Sequence, residues 1–185
     1  MLHFRRRKGE AILMAATRTI RVNGIDEELP EDPRVTLVDF LRDRLGLSGT
    51  KKGCAQGACG ACTVLLDGER ILSCLALASQ YENRTVTTIE GVSDGAGPTA
   101  LQEAFIENDA FQCGYCTPGQ ICSAIGMAAE VRRGVPSYVS GDLTSTEADV
   151  GHEELRERMS GNLCRCGAYN GIVAAVAETL SGGDL

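Results

Sequence analysis

The first half of the chain alternates between short apolar stretches and turn residues, and it holds one interval of helical periodicity. Four segments have the alternating or apolar character of strands: 19–23, 63–66, 70–74 and 85–89. Asp67-Gly68 separates the middle two and predicts a β-hairpin. The apolar residues of 36–45 recur at helical spacing, with Thr36 or Asp32 as a cap and Gly46 as a stop. One helix on a few strands indicates a small α+β domain.

After the turn-rich stretch 91–98 the strand signals nearly stop, so we predict a domain boundary between residues 92 and 93. Helical patterns follow around 101–105, and then at 117–133, 153–159 and 172–180. Thr117 is expected to cap the second of these helices, with Pro118 at its first position. Asn170 can cap the last one. The predicted organisation is a flexible tail at 1–17, an α+β domain at 18–92 and an all-α, four-helix domain at 93–181.

Composition and charge narrow the classes of function. The 185 residues are 43% hydrophobic and carry a formal net charge of −7, and no basic stripe interleaved with aromatic residues is present. We therefore expect no nucleic-acid partner. The arginines near the N-terminus precede an apolar run of only six residues, which is too short for an export signal. No segment approaches the length of a membrane helix. We expect no membrane association and a cytoplasmic location, with a periplasmic one left open.

Nine cysteines against two histidines point to sulfur chemistry. The first group is Cys54-x4-Cys59-x2-Cys62 with Cys74 further on, which is the plant-type ferredoxin spacing for a 2Fe-2S cluster. Three thiolates that converge from a nine-residue loop need tight turns with positive φ, and the glycines at 53, 57 and 60 allow them. A disulfide framework is disfavoured by the odd count and the lack of an export signal. Zinc is the stronger rival, but its sites usually use two Cys-x2-Cys pairs.

The second group is Cys113-x2-Cys116 with Cys164-x-Cys166, whose spacing alone does not separate zinc from iron and sulfur. Both pairs are predicted on loops that enter helices, where the partial positive charge of a helix N-terminus stabilises thiolates. A turn must draw residues 164 and 166 together, and Gly161, Asn162 and Gly167 suit such turns.

Three segments, KKGCAQGACGACTVLLDG, QCGYCTPGQI and SGNLCRCGAYNGI, closely resemble the iron-sulfur subunit of the molybdenum hydroxylases, the family of xanthine dehydrogenase and aldehyde oxidoreductase. The resemblance covers the chain from about residue 18 to residue 180. It implies a β-grasp, plant-type ferredoxin domain followed by a four-helix domain, each with one 2Fe-2S cluster. It also implies which cluster is nearer the molybdenum pterin, held by Cys113, Cys116, Cys164 and Cys166, and which is nearer FAD, held by Cys54, Cys59, Cys62 and Cys74.

The resemblance further implies an electron-transfer subunit with no catalytic residue of its own. Its partners would be a large molybdenum-binding subunit, whose molybdenum pterin is of the cytosine dinucleotide form, and an FAD-binding subunit. Gln112 would contact the pterin. The long segment 136–150 is similar to an insertion in bacterial aldehyde oxidoreductases and favours an aldehyde substrate. The alternatives are a xanthine or N-heterocycle dehydrogenase of the same family, a free-standing two-cluster ferredoxin and a zinc-stabilised interaction module.

The remaining chemistry-bearing residues have simpler interpretations. Cys122 lies inside the second predicted helix and is expected to be a small buried apolar residue. The two histidines, His3 and His152, are given no metal role. One charged run is interpreted as a solvated helix face with i,i+3 and i,i+4 pairs: Glu153, Glu154, Arg156, Glu157 and Arg158.

Overall fold

The structure, a computed structural model, describes residues 18–93, 95–144 and 150–185. The predicted tail at 1–17, with His3, lies outside the described residues, as does 145–149 of the long segment. Within the described ranges, none of the helices has both the length and the apolar character that a membrane span needs.

Five short strands form one mixed sheet. They are β1 (Thr19–Val22), β2 (Ile25–Glu28), β3 (Thr63–Leu66), β4 (Glu69–Leu72) and β5 (Thr85–Thr87). The strand order is β2-β1-β5-β3-β4, with β1 parallel to β5 and the other neighbours antiparallel. This sheet with one helical segment against it confirms the α+β class and the β-grasp arrangement.

Two details of the sheet differ from the prediction. Strand β2 was not predicted, because its sequence IDEE lacks apolar alternation and Ile25 is exposed. It forms because Asn23 and Gly24 both adopt positive φ, at 50° and 84°, which is the backbone of a tight hairpin turn. The strands β4 and β5 end earlier than predicted, at Leu72 and Thr87.

The helix of this sheet domain begins as α1 (Leu37–Asp39) and continues as a π-helical turn, Phe40–Arg44. Thr36 caps it as predicted, since its hydroxyl accepts the N–H of Asp39 at 3.3 Å. The wide turn brings the neighbours Phe40 and Leu41 both fully into the core. The helix packs on a cluster of sheet residues: Ile20, Val22, Val64, Leu66 and Val86. Two 3-10 turns follow later, Ala78–Tyr81 and Ile89–Gly91.

Four helices make up the rest of the described chain, as predicted. They are α2 (Ala100–Glu107), α3 (Thr117–Arg132), α4 (His152–Met159) and α5 (Tyr169–Gly182). Their core is a single cluster that includes Leu101, Phe105, Met127, Leu155, Ile172 and Val176. The boundary predicted at 92/93 falls between the last 3-10 turn and α2, and it stays a prediction.

The starts of α3 and α5 differ from the prediction. Cys116 is the N-cap of α3, because its carbonyl accepts the N–H of Gln120 at 2.9 Å, and Pro118 is therefore the second helical residue. The hydroxyl of Thr117 caps nothing. Ala168 precedes α5, and the side-chain oxygen of Asn170 instead accepts a hydrogen bond from Arg156 at 2.9 Å.

The interpretation of the charged run as a solvated face is wrong for two of its members. Glu154 and Arg158 form the expected i,i+4 pair at 2.7 Å, but their side chains are only 7% and 2% exposed. They are buried because this face of α4 is turned toward α3 and the chain that follows it, where Arg158 donates to the Val135 carbonyl and Glu154 accepts from Ser140. A helical charge pattern does not reveal such a tertiary contact.

Asp67 in the hairpin turn is expected to make stability depend on pH. Its carboxylate accepts the Thr85 N–H at 2.8 Å and pairs with Arg84, and these bonds lower its pKa. The stabilisation is therefore present above the ordinary aspartate pKa, about 3.9, and is lost as pH falls through the lowered value. Asp67→Asn tolerates the positive φ and should reduce the unfolding free energy at pH 7 by less than about 1 kcal/mol. Urea unfolding should show that the stability difference between the variant and the parent protein shrinks as pH falls below the ordinary aspartate pKa, about 3.9, and a difference that stays constant there contradicts the assignment.

Candidate iron-sulfur centres

The first cysteine group lies in the loop between the π-helical turn and β3, with Cys74 just after β4. The Cys54 sulfur accepts the backbone N–H of Ala58 at 3.2 Å and of Gln56 at 3.5 Å. These N–H groups, with that of Gln56 first, lower the pKa of Cys54 to about 6. The Cys59 thiol lies near enough to Cys54, and the Cys74 thiol near enough to Cys62, to influence the pKa of that neighbour. The loop thus directs N–H groups at sulfur, which stabilises thiolates.

Glycine allows this loop to close on its sulfurs. Gly57 and Gly60 adopt positive φ, at 78° and 72°, as expected for a loop of tight turns. Gly53 has a different role, because a Cβ there would lie 3.0 Å from the Cys59 sulfur. Cys62 lies on the buried side of the loop, and burial raises its pKa to about 11.

The second group lies where two loops enter helices, Cys113 and Cys116 before α3 and Cys164 and Cys166 before α5. Across the two loops, Cys166 lies near enough to influence the pKa of Cys113, and Cys116 and Cys164 influence the pKa of each other. Cys113 is exposed, whereas Cys116 and Cys164 are buried in the core of the helical domain. Gly167, at φ 78°, closes the turn that brings residues 164 and 166 together.

Charge at this second group is controlled by burial and by backbone N–H groups. Burial raises the pKa of Cys116 to about 12. Burial also acts upward on Cys164, but the N–H groups of Ala168, Cys166 and Gly167 and the Cys116 thiol outweigh it, and the pKa of Cys164 is lowered. The N–H of Tyr115 lowers the pKa of Cys113. Backbone N–H groups of the loops that enter the helices therefore lie beside the sulfurs. This arrangement suits an anionic cluster.

The grouping of sulfurs distinguishes between the possible metal sites. All nine cysteines are free of disulfide bonds. In the described ranges, no three His, Cys, Asp or Glu side chains converge in the way that a single metal ion requires. Four cysteines in each group are the number that one 2Fe-2S cluster takes. Cys122 is outside both groups and fully buried, as expected, and burial raises its pKa to about 12.

A direct hydrogen bond links the two cysteine groups. The backbone N–H of Leu163, next to Cys164, donates to the carbonyl of Cys59 at 2.9 Å. Asn162 supports this contact, since its buried amide donates to the carbonyl of Gly60 at 2.9 Å. The loops touch closely, because a Cβ on Gly60 would lie 2.4 Å from the Gly161 carbonyl oxygen. From the sequence, Asn162 is predicted only as a turn residue. Its position two residues before Cys164 is the signal in the sequence that it lies near a cysteine group.

Two buried polar atoms find no hydrogen-bond partner among the described residues, the Thr117 hydroxyl and the Gln120 amide oxygen. Thr117 directly follows Cys116, and a hydroxyl can donate to a thiolate or a cluster sulfide. The donor therefore fits a sulfur-rich anion beside it. The Gln120 oxygen only accepts hydrogen bonds and has no such use, although its amide nitrogen donates to the Asn162 carbonyl at 3.0 Å.

Apolar and polar side chains are exposed around both groups. Gln112 is exposed beside Cys113, and three large neighbours of the second group are 40–54% exposed: Phe111, Tyr115 and Leu163. Leu75, next to Cys74, is also exposed. Such residues are typical of the centre of a protein interface.

Comparison with known proteins gives the same picture. Residues 20–86 match the 2Fe-2S iron-sulfur cluster binding domain family, and residues 88–177 match the 2Fe-2S binding domain family. The aldehyde oxidoreductase iron-sulfur-binding subunit PaoA of Escherichia coli (strain K12) is 51% identical over 86% of this chain and 69% of its own length. The xanthine dehydrogenase iron-sulfur-binding subunit of Escherichia coli O157:H7 is 40% identical over 85% of this chain and 89% of its own.

Among solved structures, quinoline 2-oxidoreductase from Pseudomonas putida 86 matches with a TM-score of 0.74 and 40% identity, covering 91% of this chain and 98% of that one. The fold, the two matched cluster-binding domains and the 40–51% identical relatives all indicate the family that the three cysteine motifs resemble. The chain belongs to the molybdenum hydroxylase family of xanthine dehydrogenase and aldehyde oxidoreductase, as the iron-sulfur subunit that transfers electrons in such an oxidoreductase.

Proposed function

We propose that this chain accepts electrons from a molybdenum pterin in a large partner subunit and passes them to FAD in a second partner subunit, within an aldehyde oxidoreductase. Cys113, Cys116, Cys164 and Cys166 would hold the cluster on the molybdenum side. Cys54, Cys59, Cys62 and Cys74 would hold the cluster on the flavin side. When bound, a 2Fe-2S cluster supplies a one-electron carrier. The chain itself positions the two clusters and contributes no acid or base.

The observation that carries this proposal is the hydrogen bond from Leu163 N–H to the Cys59 carbonyl, at 2.9 Å. Cys59 belongs to one ligand group, and Cys164, the neighbour of Leu163, belongs to the other. The two groups are thus connected through the backbone from Cys164 to Leu163 and one hydrogen bond to Cys59. The contact is too tight for a Cβ on Gly60. A chain that stored two unrelated structural metals would have no need of this contact.

The exposed surfaces support the proposed partners. Gln112 would bind the pterin, in its cytosine dinucleotide form, because an exposed amide beside a cluster ligand offers both donor and acceptor to a polar ring. Phe111, Tyr115 and Leu163 would be covered by the large subunit. Leu75, beside Cys74, would face the flavin subunit.

An aldehyde is the proposed substrate class because the 51% identical relative is an aldehyde oxidoreductase subunit and because the long segment 136–150 is similar to an insertion in such enzymes. The substrate pocket would lie in the large subunit. A xanthine or N-heterocycle dehydrogenase is the second candidate, supported by the likeness to quinoline 2-oxidoreductase.

The proposal is tested with the complex that co-purifies with the natively expressed chain. Anaerobic addition of an aromatic aldehyde should reduce the complex and produce two distinct rhombic EPR signals, with xanthine and quinoline as parallel additions. Reduction by xanthine or quinoline alone would move the assignment to the second candidate. A chain that purifies without a large molybdenum-containing partner, or a single EPR species that accounts for all iron, would contradict the proposal.

Thr117→Val is expected to lower the reduction potential of the second cluster. The substitution keeps the shape of the side chain but removes the hydroxyl that finds no partner among the described residues. A hydrogen bond to a cluster sulfur favours the reduced, more negative state. We expect a shift on the order of tens of millivolts, where about 59 mV is a tenfold change in the ratio of reduced to oxidised cluster. EPR-monitored redox titration measures it, with Thr117→Ser as the control that keeps the hydroxyl. An unchanged potential in Thr117→Val rules out the bond.

A further inference from the structure

The contact between the sheet domain and the helical domain contains a set of charges that the proposed function does not use. Two of them, Glu154 and Arg158, are buried, and the other two, Arg70 and Glu130, are 23% and 18% exposed. Arg70 of β4 donates through Nε and one terminal nitrogen to both carboxylate oxygens of Glu130 on α3, at 2.7 and 2.8 Å. Its other terminal nitrogen donates to the Ser123 hydroxyl at 2.9 Å and to the Arg158 carbonyl at 2.8 Å. All three guanidinium nitrogens of one sheet residue are therefore bonded to the helical domain.

A second ion pair lies behind the first. Arg158 on α4 donates to Glu154 at 2.8 Å and to the Val135 carbonyl at 2.6 Å, and it lies 3.9 Å from the Glu130 carboxylate. Glu130 is thus located between two guanidinium groups. We call Arg70, Glu130, Glu154 and Arg158 the interdomain charge network. Its two positive and two negative charges balance, so each charge has a partner of opposite sign.

The backbones on either side of the network are in close contact. A Cβ on Gly126 of α3 would lie 2.8 Å from the Arg70 Cβ and 3.0 Å from its backbone nitrogen. Two helical turns earlier, a Cβ on Gly119 would lie 2.6 Å from the Gly60 carbonyl oxygen. Helix α3 therefore rests directly on the sheet domain along one face, and small shifts of the helix would alter the contacts at Gly60.

The network also leads to the contact between the cysteine groups. Arg70 holds the carbonyl of Arg158 in the last turn of α4, which ends at Met159. The chain then runs through Asn162 and Leu163, which bond to Gly60 and Cys59. The loop that approaches the first cysteine group is therefore fixed at its start by Arg70.

Burial of these charges has little value for stability alone, since apolar residues of similar volume in place of a buried ion pair are often neutral or stabilising. Apolar surfaces can slide on one another, whereas a guanidinium bonded to both oxygens of a carboxylate accepts one geometry. We propose that the interdomain charge network, through Arg70, sets the orientation of the helical domain on the sheet domain and with it the separation of the two clusters. Arg70 is then a positioning residue for electron transfer. This inference rests on the proposed transfer between two clusters.

The test measures the magnetic interaction between the two reduced clusters in the purified complex, by low-temperature EPR. Dipolar coupling falls with the cube of the distance, so it reports the separation directly. We compare Arg70→Met, the double variant Arg70→Met with Glu130→Met, and Arg70→Lys, which keeps the charge but not the paired geometry. Arg133→Met is the matched control, because Arg133 also pairs with a residue of β4, Glu69, but at an exposed site.

In all three Arg70 variants we expect the mean dipolar coupling to be weaker and the distribution of couplings to be broader. Arg133→Met should keep the wild-type coupling. The double variant is decisive. If the network only stabilised the fold, two packed methionines could replace the ion pair, and the coupling would return to its wild-type value. Wild-type coupling in the double variant, or equal broadening in Arg133→Met, overturns the inference. If Arg70→Met does not assemble with iron, Arg70→Lys decides, and unchanged coupling there also overturns it. Absence of two cluster signals in the wild-type complex would instead contradict the proposed function.

Discussion

Replacing Cys164 with alanine is expected to remove the second cluster, leave the first, and loosen the helical domain. Cys164 is 7% exposed and packs with Cys116 among the apolar residues of the helical core. Without the cluster, neighbouring thiols would face one another with no metal to hold the two helix-entry loops. A metal site rarely preforms without its metal, so the energy of cluster binding is also folding energy.

The expected readout is a fall from about four irons per chain to about two, with one of two EPR signals lost. Hydrogen exchange should rise in α3 and α5, whereas the sheet domain should keep its protection. Cys122→Ala is the matched control, since Cys122 is a fully buried cysteine of helix α3, in the same helical domain, and lies outside both groups. It should lose some stability through a small cavity but keep all iron. Full iron in Cys164→Ala, or loss of iron in Cys122→Ala, would refute the ligand assignment.

Gly60→Ala is expected to separate the two cysteine loops. Gly60 has φ +72°, and a Cβ there would lie 2.4 Å from the Gly161 carbonyl oxygen and 2.8 Å from the Asn162 Cα. The positive φ alone costs about 1–2 kcal/mol, and overpacking against backbone adds roughly 1–3 kcal/mol. Because backbone rather than a flexible side chain lies in the way, the loops must move apart, and the bond from Leu163 to Cys59 should break.

Gly68→Ala provides the control for backbone strain. Gly68 has φ +87°, but nothing lies within 4 Å of the position of its Cβ. Urea unfolding should show that the free energy of unfolding falls further in Gly60→Ala than in Gly68→Ala. The difference should equal the cost of overpacking, about 1–3 kcal/mol. Rapid-freeze EPR should show slower electron transfer between the clusters in Gly60→Ala only. Equal stability and equal transfer rates in the two variants would show that the loops are not in close contact.

Much of the local structure could be predicted from the sequence, because its causes are local. Asp67-Gly68 alone favours a hairpin, Thr36 alone caps the first helix, and the loop glycines at 57 and 60 adopt the positive φ that three converging thiols require. The two cysteine groups could likewise be read from spacing together with the resemblance. The structure brings the thiols of each group near one another, while the role of these thiols as iron ligands stays a prediction.

What could not be predicted depends on contacts between distant parts of the chain. Glu154 and Arg158 have the i,i+4 spacing of a surface pair, but Arg158 also donates to the Val135 carbonyl and Glu154 accepts from the Ser140 hydroxyl. These contacts outside the helix cannot be read from its charge pattern. Strand β2 has a polar sequence and forms through its turn and its neighbour β1. Thr117 has the residue type of a helix cap, but the carbonyl of Cys116 already begins α3, which leaves its hydroxyl free to face the cluster site.

The central claim is that eight cysteines hold two 2Fe-2S clusters in one chain. The most direct test is chemical analysis of iron, zinc and acid-labile sulfide in complex purified without oxygen, together with spin quantitation after full reduction. We predict about four irons and about four sulfides per chain, no stoichiometric zinc, and two EPR signals of equal intensity. Well under four irons with no acid-labile sulfide, or zinc in place of iron, would contradict the account.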